Sequence, residues 1–164
     1  MVFIDETGLN TKMARHFGRC PWGRRCVNAV PHGHWQSSTF LAALRHERIA
    51  APFLVEGPVD AVIFTAYLEQ LLCPQLSAGD ILILDNLSTH KIPSVHRLLS
   101  ARGVSVRYLS PYSPDLNPIE LAFAKLKAHL RQAAARTLAD LLSAVAAALD
   151  SLSPQHCRRP LQKA

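Results

Sequence analysis

Residues 81–91 read ILILDNLSTHK, and residues 110–120 read SPYSPDLNPIE. In the first stretch, Ile81–Leu84 is apolar without alternation, as expected of a central strand buried on both faces. It ends on Asp85. Ligands of open α/β sheets bind beyond the carboxyl ends of such strands. The second stretch is stiffened by Pro111, Pro114 and Pro118 and then turns into an amphipathic helix opening near Glu120. Working outward, residues 2–8, VFIDETG, repeat the first pattern: an apolar run that ends on an acid, Asp5. Two strand ends and one helix start can therefore bring Asp5, Asp85 and Glu120 to one point. Oxygen ligands held that way suit Mg²⁺ or Mn²⁺. Two such ions can clamp the attacking and leaving oxygens of a phosphodiester.

Each acid also has a plainer reading. Asp5 is followed by Glu6, and successive strand residues point to opposite faces, so a regular strand offers only one of them to a site. Asp5 is preferred because its counterpart Asp85 is likewise the first acid after an apolar run. Asp85 is followed by Asn86, His90 and Lys91 as supporting polar groups. It could equally start a turn, with Thr89 capping the next helix. For Glu120, Asn117 reads as N-cap, Pro118 as N1 and Glu120 as the N3 acid of a capping box. Residues 120, 124, 127 and 131 share one helix face, which presents Glu120, Ala124, Lys127 and Arg131. Ile119, Phe123, Leu126 and Leu130 form the apolar stripe beside it. Clustered carboxylates repel, so a metal-free site of this kind should raise at least one carboxyl pKa.

Further elements follow from pattern. Strands are expected at Val2–Glu6, around Arg25–Val30, at Ser37–Leu44, Ile49–Val55 and Val104–Leu109. Helices are expected at about 60–72, with Val62, Ile63, Ala66, Tyr67 and Leu71 inward, and at about 93–102, 118–134 and 138–150. Strands first, then alternating strands and helices, indicate a mixed sheet covered by helices.

The chain has 164 residues, 49% of them hydrophobic and 18% charged, which fits one globular domain and excludes a disordered chain. Its net charge of +6 is uneven. Residues 1–50 carry seven Lys/Arg against three acids, residues 51–124 four against seven, and residues 125–164 seven against two. An acidic centre between basic flanks fits a metal site inside a polyanion-binding surface. Arg15, Arg19, Arg24, Arg25, Lys91, Lys125, Lys127 and Arg131 are the candidate phosphate contacts. Such contacts set register and give salt-dependent affinity without sequence specificity. The four cysteines, Cys20, Cys26, Cys73 and Cys157, show no C-x-x-C spacing. Cys20 and Cys26 near His32 and His34 match no common zinc pattern. Scattered thiols read as reduced and cytoplasmic. No apolar run is long enough to span a bilayer.

Together, FIDETG (3–8), VPHGHW (30–35), ILDNLSTHK (83–91), LSPYSPDLNPIELAFAKLK (109–127) and RQAAART (131–137) resemble the DDE transposases of the mariner-like superfamily, in its bacterial insertion-sequence branch. The resemblance covers about residues 1–156. It implies a ribonuclease-H-like catalytic fold, a mixed five-stranded sheet flanked by helices, over residues 1–150, with 151–164 as a tail, disordered or truncated. It assigns the catalytic, metal-binding triad to Asp5, Asp85 and Glu120, supported by Asn86, His90 and Asn117. It implies Mg²⁺ or Mn²⁺ as a pair of ions, and double-stranded DNA, both transposon ends and target, as partner. A homodimer on DNA and a location at the bacterial nucleoid are implied too. Members of the family carry helix-turn-helix segments ahead of this domain. Here Met1 stands directly on the first strand, so the expectation is a separately encoded segment or a fragment. The rival readings are a non-catalytic DNA-binding remnant and a simple nuclease of the same fold.

Overall fold

The computed structural model describes all residues except 16, 28, 88, 89, 112 and 162–164. Its first strand, β1 (Val2–Asn10), buries Val2, Phe3 and Ile4 in succession, so both of its faces are covered. That places β1 in the middle of a five-stranded sheet. The other strands are β2 (Ser37–Leu44), β3 (Ile49–Glu56), β4 (Ile81–Leu84) and β5 (Ser105–Tyr108), in the spatial order β3-β2-β1-β4-β5. β1, β2 and β3 are antiparallel neighbours, whereas β4 and β5 run parallel to β1. The mixed sheet read from the sequence is therefore present.

The strand alternation sorts side chains into two cores. Val2, Ile4, Leu41, Ala43, Leu82 and Leu84 point to one face, where α1 (Ala61–Tyr67), the turns that follow it and α2 (Pro93–Ser100) lie. Phe3, Leu9, Phe40, Ala42 and Leu44 point to the other, against α3 (Ile119–Ala133), α4 (Leu138–Asp150) and α5 (Pro154–Leu161). Phe40 and Phe123 meet edge to face at 5.9 Å across that second core.

Three expectations change. Among the described residues of 25–30 no strand forms. β1 runs on to Asn10 and pairs with β2 from Phe3–Leu44 to Asn10–Ser37, so the β2-facing edge of β1 is already taken. Val27 and Val30 are exposed there. The helix expected at 60–72 is α-helical only to Tyr67. It widens into a π turn over Leu68–Leu72 and tightens to a 3₁₀ turn over Cys73–Gln75. Pro74 supplies no backbone N–H and its ring crowds the preceding turn, which explains the break. The buried face also differs, already within α1: Phe64, Tyr67, Leu68 and Leu72 are buried, while Val62 is exposed. Third, part of the stretch read as a tail is the helix α5, whose Cys157 is buried against the second core.

Asp60 caps α1 by accepting from the Ile63 N–H at 2.8 Å, and Thr137 caps α4 by accepting from Asp140. No described helix is long and apolar enough to cross a membrane.

Candidate active site

β1 and β4 pair in parallel, Val2 with Leu82 and Phe3 with Ile83. Two residues further on, Asp5 and Asp85 stand at matching positions just beyond the end of β4. The period of two puts both on the face of Phe3 and Ile83, the side covered by α3. Both line a cavity of about 590 Å³, together with Glu6, Asn86, Asn117 and Glu120. The three acids far apart in sequence thus share one cavity wall. Glu120, in the first turn of α3, is exposed on it.

Asn117 fastens the helix start to the strand. Its side-chain amide donates to Asp5 Oδ2 at 2.8 Å, while its backbone carbonyl accepts from the Glu120 N–H at 3.1 Å. The expected cap is therefore absent: Pro118 takes the capping position and no side chain caps α3. Asn117 gives its amide to the site because it is 4% exposed and Asp5 offers a buried anionic acceptor. Its own Oδ1 is buried with no hydrogen-bond partner.

Asp5 also accepts from the Glu6 N–H at 2.8 Å. Burial nevertheless pushes its carboxyl up to about 7; the Glu6 N–H opposes this, and the charges of Glu120, Asp85 and Glu6 add to it. Asp85 goes the other way. Burial alone would raise it, but hydrogen bonding and charge from His90, with the Leu87 N–H, hold it below the usual carboxylate range. His90 Nδ1 lies 2.6 Å from Asp85 Oδ1. The ring is 1% exposed, packs on Phe64 at 4.2 Å, and directs its Nε2 toward Glu6 Oε2 at 3.8 Å. Burial opposes protonation of His90, yet Asp85 and Glu6 outweigh it and raise the imidazole to about 9. Tyr108 secures this corner by donating its hydroxyl to the His90 carbonyl at 3.1 Å.

The sequence reading set Glu6 aside because it faces away from Asp5. It does, yet both reach the cavity. β4 stops at Leu84, so beyond that point β1 has no neighbour on this side and its two faces open onto the same space. The only sequence signal was the adjacency of the two acids. Thr89, read as a cap, lies outside the described residues.

The basic residues divide. Arg15 donates to Gln132 Oε1 on α3 at 3.1 Å. Lys127 and Arg131 border a separate cavity, with Lys12 and Asn10. Arg19, Arg24 and Arg25 are exposed in the β1–β2 connection. Lys91 is exposed and lies 5.6 Å above the Tyr108 ring. Lys125 is on another side of α3, where its charge acts on Cys157 of α5. Cys20 and Cys26 are exposed free thiols. Among the described residues no three His, Cys, Asp or Glu side chains are drawn together closely enough to enclose an ion as they stand, at the Cys/His segment or at the acids.

The acidic cavity nonetheless has the donor set of a hard-cation site. It offers carboxylate oxygens, with Asp5 crowded by the charges of Glu120, Asp85 and Glu6, and an amide oxygen buried without a partner.

The fold is ribonuclease-H-like, and the chain belongs to the DDE superfamily endonucleases, whose family model matches residues 1–142. Solved structures of similar fold include a pre-cleavage Mos1 transpososome (TM-score 0.81, 16% identity, 99% of this chain and 52% of that one). The catalytic domain of Mos1 mariner transposase is another (TM-score 0.70, 16% identity, 99% and 75%). So is the mariner Mos1 paired end complex with Mg (TM-score 0.75, 18% identity, 99% and 51%). The chain spans about half the length of the Mos1 chains in these complexes. No curated protein matches it in sequence.

Proposed function

We propose that this chain is the catalytic domain of a DNA transposase of the bacterial insertion-sequence branch. It would cut phosphodiesters at transposon ends and join the freed 3′-hydroxyl to target DNA. The observation that carries this reading is that Asp5 and Asp85 stand two residues past the β1–β4 pairing on neighbouring parallel strands and line one cavity with Glu120, in a chain of the DDE endonuclease family.

Asp5, Asp85 and Glu120 are the residues that would hold Mg²⁺ or Mn²⁺, as a pair of ions. When bound, such ions supply charge neutralisation at the attacking and leaving oxygens. The protein contributes positioning and preorganised charge. Asn117 fixes the Asp5 carboxylate, and His90 fixes that of Asp85 from below. Asn86 is placed on the wall beside them. Related Mos1 structures were solved with Mg and with Mn, which supports the choice of metal. The Mos1 complexes with a transposon end support DNA as partner. A separately encoded helix-turn-helix segment, a homodimer on DNA and a site of action at the bacterial nucleoid complete the proposal.

The test is incubation of the chain with supercoiled plasmid and with a transposon-end duplex, in Mg²⁺ and in Mn²⁺. Nicks plus a joined strand-transfer product support the transposase reading. Nicks without joining, also when a helix-turn-helix segment is supplied, leave a simple nuclease. No metal-dependent nicking under either condition leaves a DNA-binding remnant.

A further inference from the structure

A second cavity, of about 330 Å³, is bordered by the same two elements as the acidic one, β1 and α3. Lys12, Lys127 and Arg131 border it with Asn10, and among the described residues no carboxylate does. Among the described residues none of these three cations has an acid within salt-bridge distance. Their placement is fixed by a frame. Lys12 Nζ lies 4.3 Å above the Trp35 ring, a cation–π contact that holds the ammonium in place. Arg136 donates to the carbonyls of Thr11 and Met13 at 3.2 and 3.1 Å, which ties the turn after β1 to the end of α3. Thr11 and Gln36 close the base of the same segment through two bonds of 3.1 Å.

Two independent rulers connect this cavity to the catalytic one. Along α3, Lys127 and Arg131 lie about 10 and about 16 Å beyond Glu120, at 1.5 Å per residue. Along β1, Asn10 lies about 16 Å beyond Asp5, at 3.3 Å per residue. The strand edge between them is open, since β1 pairs with β4 only at Val2 and Phe3. Gly8 lines the path and carries no side chain to obstruct it. A DNA strand advances 3.4 Å per nucleotide along the helix axis, so this span corresponds to about three to five nucleotides.

We propose that Lys12, Lys127 and Arg131 form a phosphate-binding subsite that grips the DNA backbone about three to five nucleotides from the bond being cut. It rests on the reading of the chain as a DNA-cutting domain. Cations without acidic partners in a preorganised cavity gain most from a phosphodiester, which meets them as a charge-assisted acceptor.

The experiment uses the whole chain in Mn²⁺ and a duplex carrying a single neutral methylphosphonate linkage, with nicks mapped at nucleotide resolution. Wild type is expected to lose nicks at bonds about three to five nucleotides to one side of the neutral linkage. Lys127→Ala combined with Arg131→Ala is expected to show no such gap. The salt dependence of its binding should flatten by about two contacts. Trp35→Leu should weaken binding in the same direction through Lys12. Arg97→Ala, which removes one charge from α2 on the opposite side of the sheet, should leave the gap in place. Wild-type nicking with no gap, or a gap that survives the double substitution, overturns the subsite while leaving the nuclease reading intact. Absence of any nicking or binding by wild type overturns both.

Discussion

Asp5 and Asp85 are the same residue at matching positions of neighbouring strands, yet their surroundings drive them in opposite directions. Asp5 is partly buried among acids and carries a carboxyl raised to about 7. Asp85 has His90 beneath it and is held below the usual range. Environments that push paired carboxyls apart assign them different work. Asp85 keeps its negative charge to lower pH than Asp5, whose carboxyl exchanges its proton near neutrality. On the proposed reading, a cation entering the cavity would meet one ready ligand and one that must first release a proton.

The largest effects should come from the two acids, and stability should separate them. Asp5→Asn and Asp85→Asn should each reduce metal-dependent plasmid nicking to background. In denaturant unfolding without metal, Asp5→Asn should be neutral or stabilising, since it removes a crowded charge. Asp85→Asn should cost about 1–3 kcal/mol, because it deprives buried His90 of its ionic partner. Equal stability for the two variants would dissolve the contrast.

The residues behind each acid sharpen it. His90→Gln and Asn117→Ala should each weaken Mn²⁺ binding by about 10- to 100-fold, as substitutions behind a metal ligand do. An Asn117→Ala protein that loses stability but binds Mn²⁺ normally would restore the plain helix-cap reading of that residue.

The pH dependence of the metal-free fold has a definite sign. Asp5 and His90 both have folded-state pKa values above their ordinary ones. The stability each contributes is present below its ordinary value and lost as pH rises through its folded value. The melting temperature should therefore fall through about pH 7 for Asp5 and again through about pH 9 for His90. Asp5→Asn should flatten the first decline and retain the second. The smallest effect belongs to Glu120→Gln. It lies exposed and caps nothing through its side chain, so it should change stability within ~0.5 kcal/mol while lowering Mn²⁺ affinity.

Much of this was legible from sequence because it depends on local chemistry. The apolar run at 81–84 identified an inner strand, and an acid at its end marked the sheet opening; burial on both faces did not follow, since Leu82 and Leu84 are buried while Ile83 is half-buried and Ile81 exposed. The strand at 37–44 and the helix at 138–150 have the expected bounds. What escaped was tertiary. Nothing local says that β1 outruns β4, and that overhang is what admits Glu6 to the cavity. Asn117 before a proline looks like a cap, and only the approach of β1 turns its amide toward Asp5. Val27 and Val30 favour strand by propensity, but the β2-facing edge of β1 is already filled and both side chains stay exposed.

The most direct test of the central claim is a Mn²⁺ titration of the metal-free chain at pH 6 and pH 8, followed by the loss of the free-ion electron paramagnetic resonance signal, for wild type and Asp5→Asn. Proton competition at a carboxyl near pH 7 predicts wild-type binding about ten-fold tighter at pH 8 than at pH 6. Asp5→Asn should bind weakly at both. Wild-type affinity that does not change with pH, or Asp5→Asn binding as tightly as wild type, would contradict a cation site shared by these strand-end acids.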